Sequence, residues 1–369
     1  MTPFAVTARD GAARRGTLRL AHGTVETPAF MPVGTAATVK GLTPHDLEQL
    51  GAQIVLANTY HLWLRPGGDT IAAAGGLHAF MAWRRPILTD SGGFQLVSLA
   101  EVAAVDDDGA TFVSPYDGSR LRVTPEEAVS NQARLGADVV MCLDHPVAHG
   151  TTADVARAAT ERTHRWAERC RAAHPGEGHL LFGIAQGGFD ADARRVSAHF
   201  MSGLEFDGVA IGGLSVGEPL ETMLAMTEAS VAELAPDRAR YFMGLGTDSE
   251  LLAAIALGVD MFDCVVPTRL ARNGSAMTPN GRLSLRNAEA RDAFEPIDPE
   301  CPCAACTGFT RAYLRHLFQS GEILAHRLVS LHNITHLARL MEAARSAIRD
   351  GSFASFRAER DGRLRSGPR

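Results

Sequence analysis

The sequence lacks the features that would place the chain in or across a membrane. No apolar run reaches the ~18 residues that a transmembrane helix needs, so we predict no membrane partner. The N-terminal stretch MTPFAVTARDGAARRG has no apolar core of the kind found in signal peptides, and we therefore expect a cytoplasmic enzyme. Hydrophobic residues make up 46% of the 369 positions and charged residues 21%, as in ordinary globular proteins. Internal repeats and low-complexity linkers are also missing.

Cysteine and lysine are scarce, which argues against a disulfide-stabilised scaffold and against a strongly basic chain. Six cysteines in a chain of this length are too few for a disulfide scaffold. Lys40 is the only lysine, and the formal net charge of −6 gives no overall sign of nucleic-acid binding. Between residues 264 and 291, however, several arginines stand against the single acid Glu289: Arg269, Arg272, Arg282, Arg286 and Arg291. Arginine pairs well with phosphate oxygens, so this segment is either a phosphate-binding patch or a solvated loop.

Eight short apolar runs recur along the chain, each ending in polar or glycine residues. Their apolarity is continuous rather than alternating, which is typical of parallel strands covered on both faces. The runs span residues 26–35, 52–61, 85–94, 137–146, 179–188, 206–215, 238–247 and 258–267. Amphipathic stretches lie between several of them. Eight strands alternating with helices predict an α/β fold of the (β/α)8 TIM barrel type, whose active site lies where the strands end.

The clearest helix signals are two Thr-Pro pairs, each followed by a glycine that stops the helix. TPHDLEQLG (43–51) and TPEEAVSNQARLG (124–136) both place a threonine at the cap position and a proline in the first turn. The alanine- and arginine-rich stretch 152–174 and the segment 247–258 also have helical periodicity. These four segments are therefore predicted as helices between barrel strands.

Polar residues stand at the ends of several predicted strands. Asp90, Asp144, Gln186 and Asp263 would meet at one mouth of the barrel, and Gly212-Gly213 ends another strand. Each aspartate alone could cap the following helix, but together on one rim they favour a site. Two carboxylates suit substitution at the anomeric carbon of a sugar, where one attacks and a second group handles the leaving group's proton. The stretches DSGG and IGGL would let a flat ligand approach the backbone, although each alone is more typical of a turn.

Three of the cysteines crowd into CPCAAC, a spacing typical of metal ligands rather than of disulfides. With one histidine they would make a Cys3His set, which binds zinc in a closed, structural site. His332 in SLHN is the first candidate for that histidine, and three others compete with it: His316, His326 and His336. The remaining cysteines are predicted to be buried apolar residues rather than nucleophiles, namely Cys142, Cys170 and Cys264.

The sequence predicts additions to the barrel at two places. Residues 103–122 have the pattern of a small β-hairpin insertion. The residues beyond Arg269 are too many for the closing barrel helix alone. We therefore predict a barrel catalytic core at 1–269, a basic segment and zinc-binding subdomain at 270–335, and a C-terminal helical segment packing on the barrel at 336–369.

The ordered set of motifs resembles the bacterial tRNA-guanine transglycosylases, also called queuine tRNA-ribosyltransferases. The shared motifs run from TPAFMPVGTAATVKGL to SLHNI and include NTYHLWLRPG, DSGGFQ, IAQGG, IGGLSVGE, YFMGLG, MFDCVVPTRLARNG and CPCAAC. The resemblance implies a pentosyltransferase with one structural Zn2+ per chain. Such an enzyme exchanges guanine at wobble position 34 of tRNAs with GUN anticodons (those for Asp, Asn, His and Tyr) for a 7-deazaguanine, in queuosine biosynthesis. The resemblance also implies a homodimer, in which one subunit does the chemistry while the other helps to hold the tRNA.

The same resemblance assigns roles to individual residues. Asp263 is implied to be the nucleophile on ribose C1′, which gives a covalent tRNA intermediate and free guanine, and Asp90 the general acid/base for the incoming base. The implied base-binding residues, with Phe94 stacking on the base, are Asp90, Ser91, Gly92, Gly93, Phe94, Asp144, Gln186, Gly212, Gly213 and Leu214. The residues implied to contact tRNA are Gly244, Leu245, Gly246, Thr247, Asp248, Ser249, Glu250, Thr268, Arg269, Leu270, Ala271 and Arg272. The implied zinc ligands are Cys301, Cys303, Cys306 and His332.

The sequence departs from the family pattern directly after Asp144. Members that insert the aminomethyl base preQ1 usually continue DEC at this point, whereas this chain continues Asp144-His145-Pro146-Val147. The missing glutamate carboxylate could weaken a preference for a cationic aminomethyl group. Both preQ1 and queuine therefore stay open as the incoming base.

Three rival functions also stay open: an enzyme acting on another nucleic acid such as DNA, a glycoside hydrolase, and a non-catalytic RNA-binding partner subunit. The intact PTRLARNG and cysteine motifs argue for tRNA. A glycoside hydrolase would not need the basic segment beside the nucleophile. A partner subunit would be expected to have lost its nucleophile, whereas Asp90 and Asp263 are both present.

Overall fold

The eight predicted strand runs pair in parallel to form one closed barrel, which confirms the (β/α)8 prediction. The computed structural model describes residues 2–94, 102–176 and 178–367. Its strands are β1 (Phe4–Asp10), β2 (Ala13–Leu20), β3 (Gly23–Thr27), β4 (Ala29–Gly34), β5 (Val55–Ala57), β6 (Ile87–Thr89), β7 (Val102–Asp106), β8 (Gly109–Val113), β9 (Arg120–Val123), β10 (Val139–Met141), β11 (Leu180–Ala185), β12 (Gly208–Ile211), β13 (Ala239–Phe242), β14 (Met261–Cys264), β15 (Ser275–Thr278) and β16 (Gly281–Ser284). The barrel order is β4-β5-β6-β10-β11-β12-β13-β14, and β14 pairs with β4 to close it.

Helices connect the barrel strands, and further helices follow the last of these strands. They are α1 (Pro44–Gln49), α2 (Thr59–Leu64), α3 (Gly68–Ala73), α4 (Gly76–Phe80), α5 (Pro125–Leu135), α6 (Ala153–Ala173), α7 (Ala191–Gly203), α8 (Leu220–Glu233), α9 (Asp248–Ala256), α10 (Val266–Arg272), α11 (Ala304–Gly308), α12 (Arg311–Gln319), α13 (Ile323–Arg349) and α14 (Phe353–Ser366). Thr43 and Thr124 cap α1 and α5 through reciprocal hydrogen bonds with Asp46 and Glu127, as the Thr-Pro signals predict. Gly136 ends α5 at a φ of 77°, a conformation that favours glycine.

An antiparallel sheet of β1, β2 and β3 precedes the barrel and was not predicted from the sequence. Phe4 and Leu18 from this sheet are buried among the apolar side chains that fill the barrel interior. Arg14 in β2 is buried and donates through Nε to Asp260, the residue before β14, at 3.0 Å. The sheet therefore closes the N-terminal end of the barrel, and the opposite end, where the strands finish, is the one available for a site.

The insertion after β6 contains one strand more than the predicted hairpin. β7, β8 and β9 form a three-stranded antiparallel sheet, with β9 pairing along β8 from Val123 to Arg120. The sequence RLRV in β9 has only two apolar residues, so its strand character depends on pairing with β8 rather than on local pattern. Asp107, beside the β7–β8 turn, binds Arg162 and Arg165 on α6 at 3.1 and 2.7 Å, which ties the insertion to the barrel.

Beyond the barrel, a long helix returns the chain to the barrel wall. Helix α13 spans 27 residues and buries Leu337, Leu340 and Met341 in the main hydrophobic core. Arg345 on this helix donates to the carbonyl of Pro28, just before β4, at 2.6 Å. The domain boundary predicted at residue 335 lies within this continuous helix, and the division there stays a prediction. Within the described residues no helix, α13 included, combines the length and apolarity needed to cross a membrane.

Candidate active site

Four polar side chains meet at the C-terminal end of the barrel strands. Asp90 follows β6, Asp144 lies shortly after β10, Gln186 follows β11, and Asp263 lies within β14. Gln186 Nε2 donates to Asp144 Oδ2 at 2.7 Å. The negative charges of Asp263 and Asp144 also act on Asp90 and raise its pKa. The structure therefore brings together the side chains that the sequence places at separate strand ends.

The carboxylate of Asp263 is held through one of its two oxygens. The Tyr241 hydroxyl donates to Oδ1 at 2.6 Å, and the backbone N–H of Gly244 donates to the same atom at 3.0 Å. Among the described residues, no donor is bonded to Oδ2. Burial raises the pKa of Asp263, while these two hydrogen bonds lower it. A desolvated carboxylate with one oxygen unengaged is suited to act as a nucleophile.

Asp90 lies in the pocket with two donors from the end of β5. The backbone N–H of Thr59 donates to Oδ1 at 2.7 Å, and Asn58 Nδ2 donates to Oδ2. Burial, with the charges of Asp263 and Asp144 adding to it, raises the pKa of Asp90 from 3.8 to about 7. A carboxyl group that titrates near neutral pH can both accept and return a proton, as a general acid/base must.

Asp144 presents its carboxylate between two side-chain donors. Ser91 Oγ donates to Oδ1 at 3.0 Å, opposite the Gln186 amide on Oδ2. Ser91 Oγ in turn accepts from the backbone N–H of Gly93 at 3.0 Å. Burial raises the pKa of Asp144 to about 6, against the lowering effect of its two hydrogen bonds. The group is therefore held in one orientation, facing the same space as Gln186.

Glycine backbone forms the walls around Asp144 and Gln186. A Cβ atom at Gly93 would lie 2.0 Å from Asp144 Oδ1, and one at Gly213 would lie 2.3 Å from Gln186 Oε1. Gly213 also has a φ of 68°, in the left-handed region. Any larger residue at either position would push the polar side chains aside. The pocket consequently combines fixed acceptors and donors with bare backbone, an arrangement that fits a flat heterocycle.

The remaining predicted base-binding residues surround this pocket. Gly92 has a φ of 80° and turns the chain between Ser91 and Gly93. Phe94 is 53% exposed at the end of that turn, where its ring is accessible to a ligand. Leu214 follows the two glycines after β12 and is buried.

Comparison with known proteins gives the family. The family model described as queuine tRNA-ribosyltransferase matches residues 10–365. The chain belongs to the queuine tRNA-ribosyltransferase family. It is 53% identical over 352 residues to the queuine tRNA-ribosyltransferase of Desulfosudis oleivorans, which covers 94% of this chain and 92% of the relative. The enzymes of that name from Herpetosiphon aurantiacus (52% identity; 94% of this chain, 88% of the relative) and Moorella thermoacetica (50%; 99% and 98%) are similar over comparable lengths. The members are pentosyltransferases, so the carboxylates lie in an enzyme of this class.

The two segments predicted to contact tRNA lie beside Asp263 in this transferase, but not all of their side chains face outward. In segment 244–250, Asp248 is buried and both its oxygens lie 2.9 Å from Nε2 of His336 on α13. In segment 268–272, Thr268 and Ala271 are buried, whereas Arg269 is exposed. The other exposed arginines of the basic stretch are Arg282, Arg286 and Arg291.

The three clustered cysteines and His332 form a group that could hold a metal ion. Their ligand atoms all lie within 4.8 Å of one another, and all four residues are buried. His332 Nδ1 lies 3.2 Å from Cys306 Sγ, while its Nε2 lies 2.8 Å from the carbonyl of Met277. A proton on Nε2 donated to that carbonyl leaves Nδ1 free as a ligand, which is the usual outer arrangement of a metal-binding histidine. The other three cysteines are buried away from this group, as predicted.

A second group of potential ligands lies at the other end of the barrel. His22 Nδ1 and His78 Nε2 approach the two oxygens of Asp138 at 2.9 and 3.1 Å. Each oxygen also accepts a backbone N–H, from His22 and Ile87 respectively. The two imidazole rings stack with centroids 3.6 Å apart, and both oxygens of Asp138 are engaged by these four contacts. We read this group as a hydrogen-bonded structural cluster.

Sequence reasoning missed the residues that hold the carboxylates. Asn58 and Thr59 stand at the end of β5, so the strand-end argument applied to Asp90 would also have found them. Tyr241 lies inside β13 and is completely buried, and no local pattern distinguishes it from a core aromatic residue. Arg194 on α7, which donates to the carbonyls of Gly188 and Gly212, was likewise not predicted.

Proposed function

We propose that this chain is a tRNA-guanine transglycosylase that exchanges guanine at wobble position 34 of GUN-anticodon tRNAs for a 7-deazaguanine during queuosine synthesis. The observation that carries the proposal is the pair of carboxylates at the barrel mouth, Asp263 and Asp90. One has a free oxygen and the other a pKa of about 7. Family membership supports the tRNA and the base as substrates. Because its substrate is tRNA, we expect the enzyme to work in the cytoplasm.

The first half of the reaction is displacement of guanine by Asp263. Its free oxygen attacks C1′ of nucleotide 34, the bond between C1′ and the base breaks, and the bonding electrons pass to the ring nitrogen of guanine, which takes a proton from the acid form of Asp90. A covalent bond between Asp263 and ribose then holds the tRNA. The Tyr241 hydroxyl and the Gly244 N–H keep the attacking carboxylate oriented. The target base has to leave the stacked anticodon loop for its sugar to reach this depth.

The second half of the reaction reverses the first with a different base. Asp90 takes the proton from the ring nitrogen of the incoming 7-deazaguanine, that nitrogen attacks C1′, and Asp263 leaves as a free carboxylate. The base is bound by its edge: its ring N–H and amino groups donate to Asp144, and Gln186 and the backbone at Gly213 supply further hydrogen bonds. The exposed ring of Phe94 is suited to stack on the base.

The choice between preQ1 and queuine depends on the surroundings of His145. Its ring stacks on Trp166 of α6 at 6.2 Å, and its Nδ1 lies 3.1 Å from Arg162. Burial and the Arg162 charge lower the pKa of His145 to about 4, so the ring is neutral at physiological pH. This position therefore supplies no negative charge for the aminomethyl group of preQ1. Both bases therefore stay open: comparable turnover of preQ1 and queuine would show that the substitution is silent, and a marked preference for either would show that it is not.

The exposed arginines of the basic stretch support tRNA as the substrate. Exposed Arg269, Arg282, Arg286 and Arg291 fit phosphate oxygens of the anticodon stem. Large apolar side chains also stand exposed on the additions to the barrel, including Phe294 (74%) and Ile323 (80%). Apolar residues that stand exposed singly are common on protein surfaces, so the homodimer is proposed from the family resemblance alone. Light scattering in solution tests the dimer.

The metal proposed for the Cys3His group is one Zn2+ per chain. Three thiolates and one imidazole are ligands that zinc prefers, and four protein ligands leave no position for a substrate. The ion would therefore stabilise the fold around α11, α12 and α13 and take no part in the chemistry. The proton and bond transfers above are assigned to Asp90 and Asp263 alone.

The decisive experiment is incorporation of labelled guanine into unmodified tRNA with a GUN anticodon, with Asp263→Ala as the comparison and a tRNA carrying adenine at position 34 as the control. We expect incorporation by the wild type only, and into the GUN tRNA only. A denaturing gel of enzyme and tRNA without free base should retain a covalent complex with the wild type and none with the variant. No incorporation by well-folded wild type would reject the proposal and direct attention to Asp144-His145-Pro146.

A further inference from the structure

Arg194 is an arginine buried without a carboxylate partner. It is 0% exposed, in the first turn of α7, beside the turns that follow β11 and β12. Its guanidinium donates to three backbone carbonyls: Gly188 O at 2.8 Å, Gly212 O at 2.7 Å and Gly213 O at 3.4 Å. Burial lowers the pKa of Arg194 to about 9, with the Glu218 charge opposing that effect. Burying a charged side chain costs desolvation free energy, so an apolar side chain would be more stabilising at this position if it served packing alone.

The hydrogen bonds of Arg194 determine which way the Gly212-Gly213 backbone faces. In a trans peptide the C=O and the following N–H point in opposite directions. Holding the carbonyls of Gly212 and Gly213 toward α7 therefore directs the N–H groups of Gly213 and Leu214 the other way. Gly213 is adjacent to the Gln186 amide, with 2.3 Å between Gln186 Oε1 and the position of an added Cβ. These N–H groups consequently belong to the base-binding wall.

A second contact from the same face of α7 secures the neighbouring turn. Ser197, one helical turn after Arg194, accepts the backbone N–H of Gln186 at 3.0 Å and lies 2.9 Å from His164 Nε2. Arg194 and Ser197 are both completely buried. One face of α7 thus holds both strand ends that contribute Gln186 and Gly213 to the pocket.

We infer that Arg194 is a positioning residue for the base pocket: its guanidinium fixes the Gly212-Gly213 peptides so that their N–H groups face the incoming base. The inference rests on the proposed function, since it takes Gly213 as part of the base site. It does not make Arg194 a catalytic residue, because its side chain contacts backbone carbonyls rather than substrate. The effect should therefore fall on base binding and leave tRNA binding unchanged.

Arg240 provides a matched control at the opposite end of the barrel. It is also buried, 8% exposed, and donates to the backbone carbonyls of Leu234 and Gly258 at 2.9 and 3.4 Å. Burial likewise lowers the pKa of Arg240, to about 10. Arg240→Lys and Arg194→Lys should cost similar stability, since each loses a buried fork of hydrogen bonds. Of the two arginines, only Arg194 lies behind the base pocket.

The test compares KM for guanine, KM for tRNA and Tm among the wild type, Arg194→Lys and Arg240→Lys. We expect Arg194→Lys to raise the guanine KM about ten-fold, the factor expected when one hydrogen bond to the base is misdirected. The tRNA KM should stay within about two-fold, and Arg240→Lys should change Tm without changing either KM. An unchanged guanine KM in Arg194→Lys, or equal changes in both variants, would overturn the inference. An inactive wild type would instead reject the proposed function.

A second variant covers the case in which lysine does not fold at position 194. Arg194→Ala leaves a space that guanidinium ion at low millimolar concentration can fill, whereas methylammonium at the same concentration has the charge without the planar fork. We expect guanidinium, and not methylammonium, to restore the guanine KM toward the wild-type value. If Arg194→Lys fails to fold and guanidinium restores nothing, the side chain serves folding alone and the inference is wrong.

Discussion

Replacing Asp90 by asparagine should stabilise the resting protein at neutral and higher pH and strongly reduce exchange, and the gain in stability should grow with pH. The pKa of Asp90 is raised from 3.8 to about 7 in the folded protein by burial and by the charges of Asp263 and Asp144. Between these two values the folded state binds the proton and the unfolded state does not. The contribution of Asp90 to the free energy of unfolding is therefore highest below pH ~4 and is lost as the pH rises through ~7. The variant has no such loss at this position.

The size of the effect follows from the shift and from the hydrogen bonds that asparagine alters. A rise from 3.8 to about 7 corresponds to roughly 4 kcal/mol when the group is fully ionised. The asparagine carbonyl can still accept the Thr59 N–H, but its amide group would face the Asn58 amide, which costs about 1–2 kcal/mol. We therefore expect Asp90→Asn to be about 2–3 kcal/mol more stable than the wild type at pH 8 and about 1–2 kcal/mol less stable at pH 4.

Urea unfolding at pH 4 and pH 8 measures this change directly. Asp237→Asn, at an exposed turn, controls for the general loss of one negative charge. Guanine exchange by Asp90→Asn should fall at least ~100-fold at neutral pH, because the proton acceptor is gone. If the free energies of unfolding of Asp90→Asn and the wild type differ by the same amount at both pH values, the reasoning is refuted, since the carboxyl then does not titrate near neutrality.

Three further outcomes are expected. Gly93→Ala should raise the guanine KM at least ~10-fold, because the new Cβ would lie 2.0 Å from Asp144 Oδ1. Gly203→Ala, whose added Cβ would have nothing within 4 Å, should leave the guanine KM unchanged. Equal KM values for the two variants would show that Asp144 can move aside. Cys303→Ser should lose the zinc measured by elemental analysis and lower Tm, and a variant that retains one ion per chain would contradict the ligand set. Arg269→Gln should weaken tRNA binding and reduce the slope of log affinity against log salt by about one; an unchanged slope would remove Arg269 from the phosphate contacts.

The strands and helix starts were predictable because their signals are local. Continuous apolar runs marked all eight barrel strands, and Thr43 and Thr124 with the prolines after them marked two helix starts. The third strand of the insertion, 120–123, was not predictable, because RLRV becomes a strand only through its pairing with β8. The N-terminal sheet was missed for a similar reason: its strands ARRGTLRL and GTVET are polar on one side and are defined by their partners.

The choice of His332 among the histidines required the packing of α13. Spacing alone left His316, His326 and His336 as alternatives. In the structure the phase of α13 turns His332 Nδ1 to 3.2 Å from Cys306, whereas His336, one turn later, binds Asp248. The sequence does not show which of these two histidines faces the cysteines, because positions one helical turn apart lie on the same face of the helix.

The sequence by itself determined which residues bear the chemistry: aspartates at strand ends, three cysteines within six positions, and an arginine-rich stretch beside the last strand. Such features depend on residue type and short spacing, which a linear pattern records. Tertiary structure alone decided how those groups behave. Asp90 acquires a pKa of about 7 because folding encloses it near two other carboxylates, and Asp263 keeps one oxygen free because Tyr241 and Gly244 take the other. Desolvation and through-space charge act between residues far apart in the chain, so only the folded barrel creates them.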